Sequence, residues 1–245
     1  MIERVTPPRL LVVMPAWNES GSVADVVREV HDKVPDAQVL VVDDGSSDDT
    51  ADRAWAAGAL VAQLPFNLGV GGAMRTGFRY AVENNFDVVV QVDADGQHDP
   101  AGLSSLVAAL DQADIVLGAR FAGLGGYQVR GPRRWAMAMF ATVLGAIAHT
   151  RLTDTTSGFR ASGRRAIRLF AEHYPAEYLG DTIEALVIAA RSDLVITQVP
   201  VEMRPRAAGR PSHNPFKAAA YLARASLALV FALIRPRASY RLASS

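Results

Sequence analysis

The feature that most constrains the fold is a repeated alternation of apolar runs with helical patterns. Five apolar runs predict β-strands, at residues 10–15, 37–42, 60–64, 87–92 and 114–119. The segments between them predict helices, at about 22–34, 50–57 and 72–84, with a further helix that begins at Pro100. Strands that are apolar along their whole length and alternate with helices indicate a mostly parallel, Rossmann-like α/β sheet covered on both faces.

Composition limits the class of protein. The chain has 245 residues, and half of them are hydrophobic, which indicates a folded globular protein. It has no cysteine, which excludes disulfides, a thiolate zinc site and a cysteine nucleophile, and which fits a reducing compartment. The first 20 residues lack the pattern of a signal peptide, and no stretch is long and apolar enough to predict a transmembrane helix.

Charge is distributed unevenly along a chain whose net charge is zero. Residues 1–118 hold 7 basic and 18 acidic side chains, whereas residues 119–245 hold 18 basic and 7 acidic ones, so the two parts carry −11 and +11. A bound cation suits the first part, and phosphates or an anionic membrane suit the second. The alternative is a solvated surface on which charge is merely uneven.

Acidic motifs follow the predicted strands, at the end of a parallel sheet where ligands bind. In "DADGQH" (93–98), Asp93 and Asp95 repel each other unless a cation lies between them. Carboxylate and amide oxygens suit Mg²⁺ or Mn²⁺, and a diphosphate would supply the remaining ligands. The alternative is an Asp-rich turn that caps the helix beginning at Pro100.

Two further motifs lie after the second and third strands. "DDGSSDDT" (43–50) either offers acceptors to a ribose or a base, or is an ordinary turn whose last residues cap a helix. "NLGVGGAMRTG" (67–77) fails as a dinucleotide fingerprint, since Met74 occupies the third glycine position. It predicts a tight helix entry at which glycine allows close packing.

The basic part of the chain is less regular. Its patterns predict an apolar helix, an extended or turn segment, a helix, a strand, a polar loop and a last helix, at 133–148, 153–162, 181–191, 194–203, 204–215 and 216–235. The last helix places Lys217, Arg224 and Arg235 on one narrow stripe, which is typical of a helix lying in a membrane interface. Packing of that helix on the domain or on a partner protein is the alternative.

An arginine cluster, "VRGPRRW" (129–135), precedes the apolar helix. Arg130, Arg133 and Arg134, together with Arg160, could form a cradle for an acceptor phosphate, because arginine pairs with phosphate in a two-pronged way. The first turn of the helix that follows would also attract an anion. Each arginine taken singly could instead be a solvated surface residue.

Together these motifs resemble glycosyltransferase family 2, which has the GT-A fold. The resemblance covers most of the chain and is carried by "PAWNE", "VDDGSSDDT", "NLGVGGAMRTGF" and "DADGQHDP". The segments "GAR" (118–120), "TSGFR" (156–160) and "VPVEMRPRAAGRPS" (199–212) resemble the branch that loads sugars onto polyprenyl phosphate, as dolichol-phosphate mannosyltransferase does. Two positions depart from the family pattern: Trp17 stands where tyrosine is usual, and the loop lysine is missing, with His213 the nearest basic residue.

The resemblance implies roles for residues of this sequence. The nucleotide-sugar would contact Pro15, Trp17, Glu19, Asp44, Asp93, Ala94, Asp95, Gln97, Arg120 and Arg206. The metal ligands would be Asp93, Asp95 and Gln97, and the catalytic residues Asp95 and Arg206. The acceptor phosphate would contact Arg130, Arg133, Arg134, Ser157 and Arg160.

The implied reaction is inverting, metal-dependent transfer of a sugar from a GDP- or UDP-sugar to a polyprenyl monophosphate, with Mg²⁺ or Mn²⁺ as cofactor. We expect a catalytic domain at 1–212, divided into a donor half (1–120) and an acceptor half (121–212), followed by a basic amphipathic helix and tail at 213–245. The expected location is the cytoplasmic face of the plasma membrane, with a small membrane protein or a second copy as partner and no nucleic acid. The alternatives are a family 2 transferase with another acceptor, a non-catalytic scaffold that binds nucleotide-sugar, and a haloacid-dehalogenase-type phosphatase.

Overall fold

The structure is a computed structural model that describes residues 8–119, 141–175 and 181–204. Its strands are β1 (Leu10–Ala16), β2 (Gln38–Asp43), β3 (Leu60–Gln63), β4 (Val88–Gln91), β5 (Ile115–Ala119), β6 (Arg160–Gly163) and β7 (Ile196–Pro200). Its helices are α1 (Val23–Lys33), α2 (Thr50–Ala56), α3 (Gly69–Glu83), α4 (Leu103–Ala108), α5 (141–147), α6 (Arg164–His173) and α7 (Asp181–Arg191). Short 3₁₀ turns, Pro100–Gly102 and Ala109–Asp111, flank α4.

The strands form one sheet in the order β3-β2-β1-β4-β6-β5-β7. The first four strands run parallel, as the apolar runs predict, and β5 and β7 are also parallel to each other. Strand β6 is antiparallel to both of its neighbours, β4 and β5. Since β1, β2 and β4 are parallel and adjacent, their carboxyl ends lie along one edge of the sheet.

Four elements differ from the sequence-based expectation. The segment predicted as extended or turn, 153–162, leads into β6, and the helix α6 that follows was not predicted. Strand β6 is short and includes buried Arg160 and Ser162, so it presents no apolar run. Helix α3 begins at Gly69, earlier than predicted, and Pro100 opens a 3₁₀ turn capped by the Asp99 carboxylate rather than the α-helix itself.

Apolar side chains cover both faces of the sheet. Alternate residues of β1 point to opposite sides, so Leu11 and Val13 pack with α3, α6 and α7, whereas Val12 and Met14 pack with α1 and α4. Two apolar cores therefore hold the sheet between layers of helices. This packing fixes the positions of the carboxyl ends of β1, β2 and β4.

No helix in the described ranges is long and apolar enough to cross a membrane. The predicted interfacial helix at 216–235 and the boundary between residues 212 and 213 lie outside the described residues, so both stay predictions.

Helix α3 packs unusually close to β1, as the glycine-rich segment predicts. Gly69, at its first turn, has a φ of 82°, which favours glycine. A Cβ placed on Gly77 would lie 2.4 Å from Cγ1 of Val13, a fully buried side chain. Close approach of the helix to the sheet therefore requires glycine at this position.

We expect Gly77→Ala to destabilise the fold by about 1–3 kcal/mol, because the added methyl group overpacks the core against Val13. The measurement is the free energy of unfolding from a denaturant titration. Gly163→Ala is the control, since a Cβ there would meet its nearest atoms at 3.6 and 3.9 Å, ordinary contact distances. Equal stability of the two variants would contradict this account of the packing.

Candidate functional site

A cavity of about 340 Å³ opens at the carboxyl ends of β1, β2 and β4. The chain continues from β1 to β2 on one side and reaches β4 on the other, so the cavity lies at the switch point of the sheet, where ligands of such folds bind. It is lined by Pro15, Ala16, Trp17, Glu19, Asp44, Asn67, Gly69, Val70, Ala73, Gln91, Asp93, Ala94, Asp95, Thr156, Gly158 and Thr182. Its volume is within the range of small-molecule sites.

Four of the residues that the resemblance assigns to the nucleotide-sugar, at the ends of β1 and β2, line this cavity: Pro15, Trp17, Glu19 and Asp44. The Trp17 side chain is 50% exposed, so its ring is available to a ligand. The backbone N–H of Glu19 donates to Oγ1 of Thr50, 2.9 Å away. This bond ties the end of β1 to the start of α2.

Asp44 also has a structural contact that the sequence did not indicate. Its two carboxylate oxygens accept hydrogen bonds from the backbone N–H groups of Leu68 and Gly69, at 2.7 and 2.8 Å, where α3 begins. Burial raises the pKa of Asp44, and the two backbone hydrogen bonds offset only part of that effect. The same two hydrogen bonds fix the orientation of the Asp44 carboxylate before any ligand arrives.

The loops that follow β1 and β2 are joined by hydrogen bonds. Asn18, whose φ is 54°, accepts at Oδ1 from the backbone N–H of Ser47 and donates its own backbone N–H to Oγ of Ser46. Burial alone would raise the pKa of Asp48, but hydrogen bonds from Thr50 and Ser20 outweigh it, so the pKa is lowered. The motifs "PAWNES" and "DDGSSDDT" therefore form one connected wall of the cavity.

The turn after β4 carries the predicted metal ligands. Asp93 and Asp95 both line the cavity, and Oδ1 of Asp95 accepts from the backbone N–H of Gln97. Gly96, with a φ of 76°, turns the chain sharply between Asp95 and Gln97. Ala94 also lines the cavity, whereas Gln97 lies on the same turn but is not among the lining residues.

His98 fixes this turn, although sequence reasoning gave it no role. Its side chain is 3% exposed, and its Nδ1 accepts from the backbone N–H of Asp93 at 3.0 Å. The proton is therefore on Nε2, which lies 3.6 Å from Oδ2 of Asp93. The ring stacks on Phe159, with centroids 4.9 Å apart. The only sequence signal was the place of His98 in "DADGQH".

Gly158 leaves space above Asp93. A Cβ on Gly158 would lie 2.9 Å from Nε2 of Gln91 and 3.1 Å from both carboxylate oxygens of Asp93. The absent side chain keeps those oxygens accessible from the cavity. Sequence reasoning missed this role, because the close approach joins two segments far apart in the chain.

These residues fit a divalent cation that is shared with a ligand. Carboxylate oxygens are the ligands that Mg²⁺ and Mn²⁺ prefer, and Mg²⁺ commonly binds one or two carboxylates together with phosphate oxygens. Within 8–119, 141–175 and 181–204, no group of three or more His, Asp or Glu side chains is arranged as a complete metal cage. The protein would therefore contribute mainly Asp93 and Asp95, and a diphosphate would contribute the rest.

Arg204 ties this turn to the rest of the domain. Its Nη1 donates to both carboxylate oxygens of Glu29 on α1, at 2.7 and 2.8 Å, and its Nη2 lies 2.9 Å from Oδ1 of Asp99. Its backbone N–H donates to the carbonyl of Gln97. The hydrogen bonds that Arg204 donates to the carboxylates of Glu29 and Asp99 raise its pKa. No sequence pattern indicated this contact.

The structure describes only some of the residues predicted to contact phosphates. Arg120, Arg130, Arg133, Arg134 and Arg206 lie outside the described residues, so their roles stay predictions. Ser157 and Arg160 are described, and both are buried next to the cavity rather than exposed at its surface. Neither is among the lining residues, although Gly158 between them is.

We expect Gly158→Ala to weaken divalent metal binding by roughly 10–100-fold, the usual effect of disturbing the groups that orient a metal ligand. The new methyl group would displace Asp93 or cover its oxygens. Titration with Mn²⁺, followed by calorimetry, measures the affinity. Gly163→Ala again serves as control, and unchanged affinity in Gly158→Ala would refute the proposed position of the metal.

We expect Arg204→Met to weaken metal binding as well, because the turn that carries Asp95 and Gln97 loses its tie to α1. The loss of stability should be no more than about 1 kcal/mol, since these ion pairs are partly exposed and screened by solvent. Arg28→Met is the control, because it removes the exposed Arg28–Asp25 pair from the same helix. Identical Mn²⁺ affinity in the two variants would show that Arg204 does not position the turn.

Comparisons with known proteins agree with this geometry. The family described as "Glycosyl transferase family 2" matches residues 11–172. The undecaprenyl-phosphate mannosyltransferase of Micrococcus luteus is 32% identical over 212 residues, covering 82% of this chain and 86% of that protein. The polyprenol monophosphomannose synthase of Mycolicibacterium smegmatis is 33% identical over 178 residues, covering 65% of this chain and 63% of that protein.

A solved structure is similar over nearly the whole chain. Glucosyl-3-phosphoglycerate synthase from Mycobacterium tuberculosis, crystallised with Mn²⁺, UDP-glucose and phosphoglyceric acid, gives a TM-score of 0.70 at 25% identity, covering 94% of this chain and 81% of that one. The family match spans most of the described sheet, including the cavity residues from Pro15 to Gly158. This chain therefore belongs to glycosyl transferase family 2 and is a glycosyltransferase with the GT-A fold.

Proposed function

We propose that this glycosyltransferase moves a sugar from a GDP- or UDP-sugar to a polyprenyl monophosphate, with inversion at the anomeric carbon and with Mg²⁺ or Mn²⁺. The observation that carries the proposal is the cavity in which Asp93 and Asp95 lie beside Pro15, Trp17 and Asp44. The names of the Micrococcus luteus and Mycolicibacterium smegmatis relatives support the polyprenyl acceptor. The UDP-glucose and Mn²⁺ bound to the structural relative support the donor class and the metal.

The nucleophile in this reaction needs no dedicated base. A phosphate monoester has a second pKa near ~6, so its oxygen is already ionised at neutral pH. A lone pair of that oxygen forms the new bond to the anomeric carbon, and the electron pair of the broken bond leaves with the nucleoside diphosphate. The balance requires no oxidant, no reductant and no proton transfer.

The residues of the chain act mainly on the leaving group. Asp93 and Asp95 would hold the metal, which supplies positive charge to the leaving diphosphate when bound. Asp44, already oriented by the start of α3, would accept from the nucleoside, and Trp17 would contact its base or ribose. Arg206 is proposed as a second cation at the diphosphate, and Arg120 as a further phosphate contact.

Membrane association belongs to the same proposal. A polyprenyl chain is embedded in a bilayer, so the enzyme would work as a peripheral protein at the cytoplasmic face of the membrane. The basic stripe of the 216–235 segment supports binding to anionic lipid. A small membrane protein or a second copy of the chain would be its protein partner.

Asp95→Asn tests this proposal. We expect it to keep the wild-type melting temperature and to lower turnover by at least about 10²–10³-fold, the usual effect of removing one preorganised charge interaction. The assay is a panel of UDP- and GDP-sugars with Mg²⁺ or Mn²⁺ and polyprenyl phosphate, read by mass spectrometry. Asp36→Asn, at an exposed position, is the control.

Four results would contradict parts of the proposal. Wild-type turnover in Asp95→Asn would remove Asp95 from catalysis. Transfer only to a saccharide or another lipid would favour a different acceptor, and binding of nucleotide-sugar without any transfer would favour a scaffold. Retention of the anomeric configuration, measured by NMR of the product, would exclude direct displacement.

A further inference from the structure

The order of strands along the cavity edge sets the direction in which a donor would lie. Asp44 follows β2, Pro15 and Trp17 lie at the end of β1, and Asp93 follows β4, so nucleoside and diphosphate would lie in that order along adjacent strands. The next strand is β6, whose Arg160 lies directly opposite Gln91 of β4. Neighbouring strands are ~4.8 Å apart. On the proposed function, the sugar and the attacking acceptor therefore belong at the β6 side.

Arg160 is a buried cation that forms no ion pair with any side chain that the structure describes. Its side chain is 2% exposed, and its Nη2 donates to Oγ1 of Thr182 at 3.2 Å. Its Nε and Nη1 have no hydrogen-bond partner, nor does Oε1 of Gln91 on the facing strand. The guanidinium lies over the ring of Tyr174, 5.9 Å from its centroid, but the ring does not replace the two missing hydrogen-bond acceptors. A buried guanidinium with unpaired N–H groups favours a ligand that supplies acceptors and negative charge.

Thr182 connects this cation to the cavity. It is the second residue of α7, a helix of 11 residues, and it lines the cavity near Thr156 and Gly158. Because its hydroxyl oxygen already accepts from Arg160, its own proton is available to an acceptor on the cavity side. Donation from a guanidinium polarises the hydroxyl and makes it a stronger donor. The first turn of a helix adds to the positive potential at this point.

We infer that Thr182, supported by Arg160, is the group that receives the acceptor's phosphate at the β6 end of the cavity. A phosphate oxygen accepts from the Thr182 hydroxyl, and its negative charge compensates the buried guanidinium. This places the phosphate on the side of Asp93 opposite the nucleoside, as in-line attack on the sugar requires. The inference rests on the proposed function and adds to it a phosphate-binding residue that no motif indicated.

Thr182→Val is the principal test, because valine keeps the shape of threonine and removes only the hydroxyl. We expect the KM for a short, soluble polyprenyl monophosphate to rise roughly tenfold or more, the usual effect of losing one hydrogen bond to a charged group. The KM for the nucleotide-sugar should not change, whereas the melting temperature should fall, because Nη2 of buried Arg160 loses its acceptor. Thr182→Ser, which keeps the hydroxyl, should restore most of the acceptor affinity.

Thr76→Val is the matched control, since the Thr76 hydroxyl donates within α3 to the carbonyl of Gly72. An unchanged acceptor KM in Thr182→Val would overturn the inference. A rise in the donor KM alone would also overturn it, because the hydroxyl would then contact the sugar. Arg160→Leu should raise the acceptor KM in the same way if it folds, and Thr182→Val decides the matter if it does not.

Direct binding separates this inference from the proposed function. Calorimetry with the same polyprenyl monophosphate should give a dissociation constant that rises in Thr182→Val and not in Thr76→Val. If wild-type protein transfers no sugar to this acceptor, the proposed function fails. The binding data still decide the inference, because equal affinity of both variants, or no binding at all, would refute it.

Discussion

The site depends on one hydrogen bond, from the backbone N–H of Asp93 to Nδ1 of His98. It closes the turn after β4, and stacking of His98 on Phe159 attaches that turn to the segment that enters β6. Gly158, next to Phe159, then leaves the oxygens of Asp93 accessible. A hydrogen bond and an aromatic contact fix the turn that carries Asp93, and the missing side chain of Gly158 leaves its carboxylate accessible from the cavity.

Sequence patterns predicted the part of the fold that depends on local signals. The apolar runs gave β1 to β4 and their parallel arrangement, and the rule that ligands bind at the ends of such strands placed Pro15, Asp44, Asp93 and Asp95 at one cavity. Residues 153–162 were predicted only as extended or turn, because Arg160 and Ser162 interrupt the apolar pattern by which strand β6 would have been recognised. The contact of Arg204 with Glu29 was missed because 175 residues separate the partners. A periodic pattern of apolar residues predicts only contacts within one helix or strand.

The acidic surplus of the first part of the chain suggested a bound cation, but several of its acids have other partners. Oδ1 of Asp43 accepts from the backbone N–H of Ser46, and Asp48 accepts from Ser20 and Thr50. Glu29 and Asp99 pair with Arg204. These carboxylates stabilise the fold by joining loops to helices, so the negative net charge of that part does not by itself indicate a cation site. The attraction for a cation arises locally, from Asp93 and Asp95.

The acids and a buried arginine lie near one another at the cavity edge of the sheet because different strands carry them. The carboxylates follow β4, whereas Arg160 starts β6, the adjacent strand, with Gln91 directly opposite it. Gln91 donates to Oδ1 of Asp93 and has no partner at Oε1, so it separates the carboxylate from the guanidinium instead of joining them in an ion pair. A direct pair would neutralise both groups. Kept apart, the negative group remains available to a cation and the positive group to an anion, which is what the proposed transfer between two phosphate-bearing substrates requires.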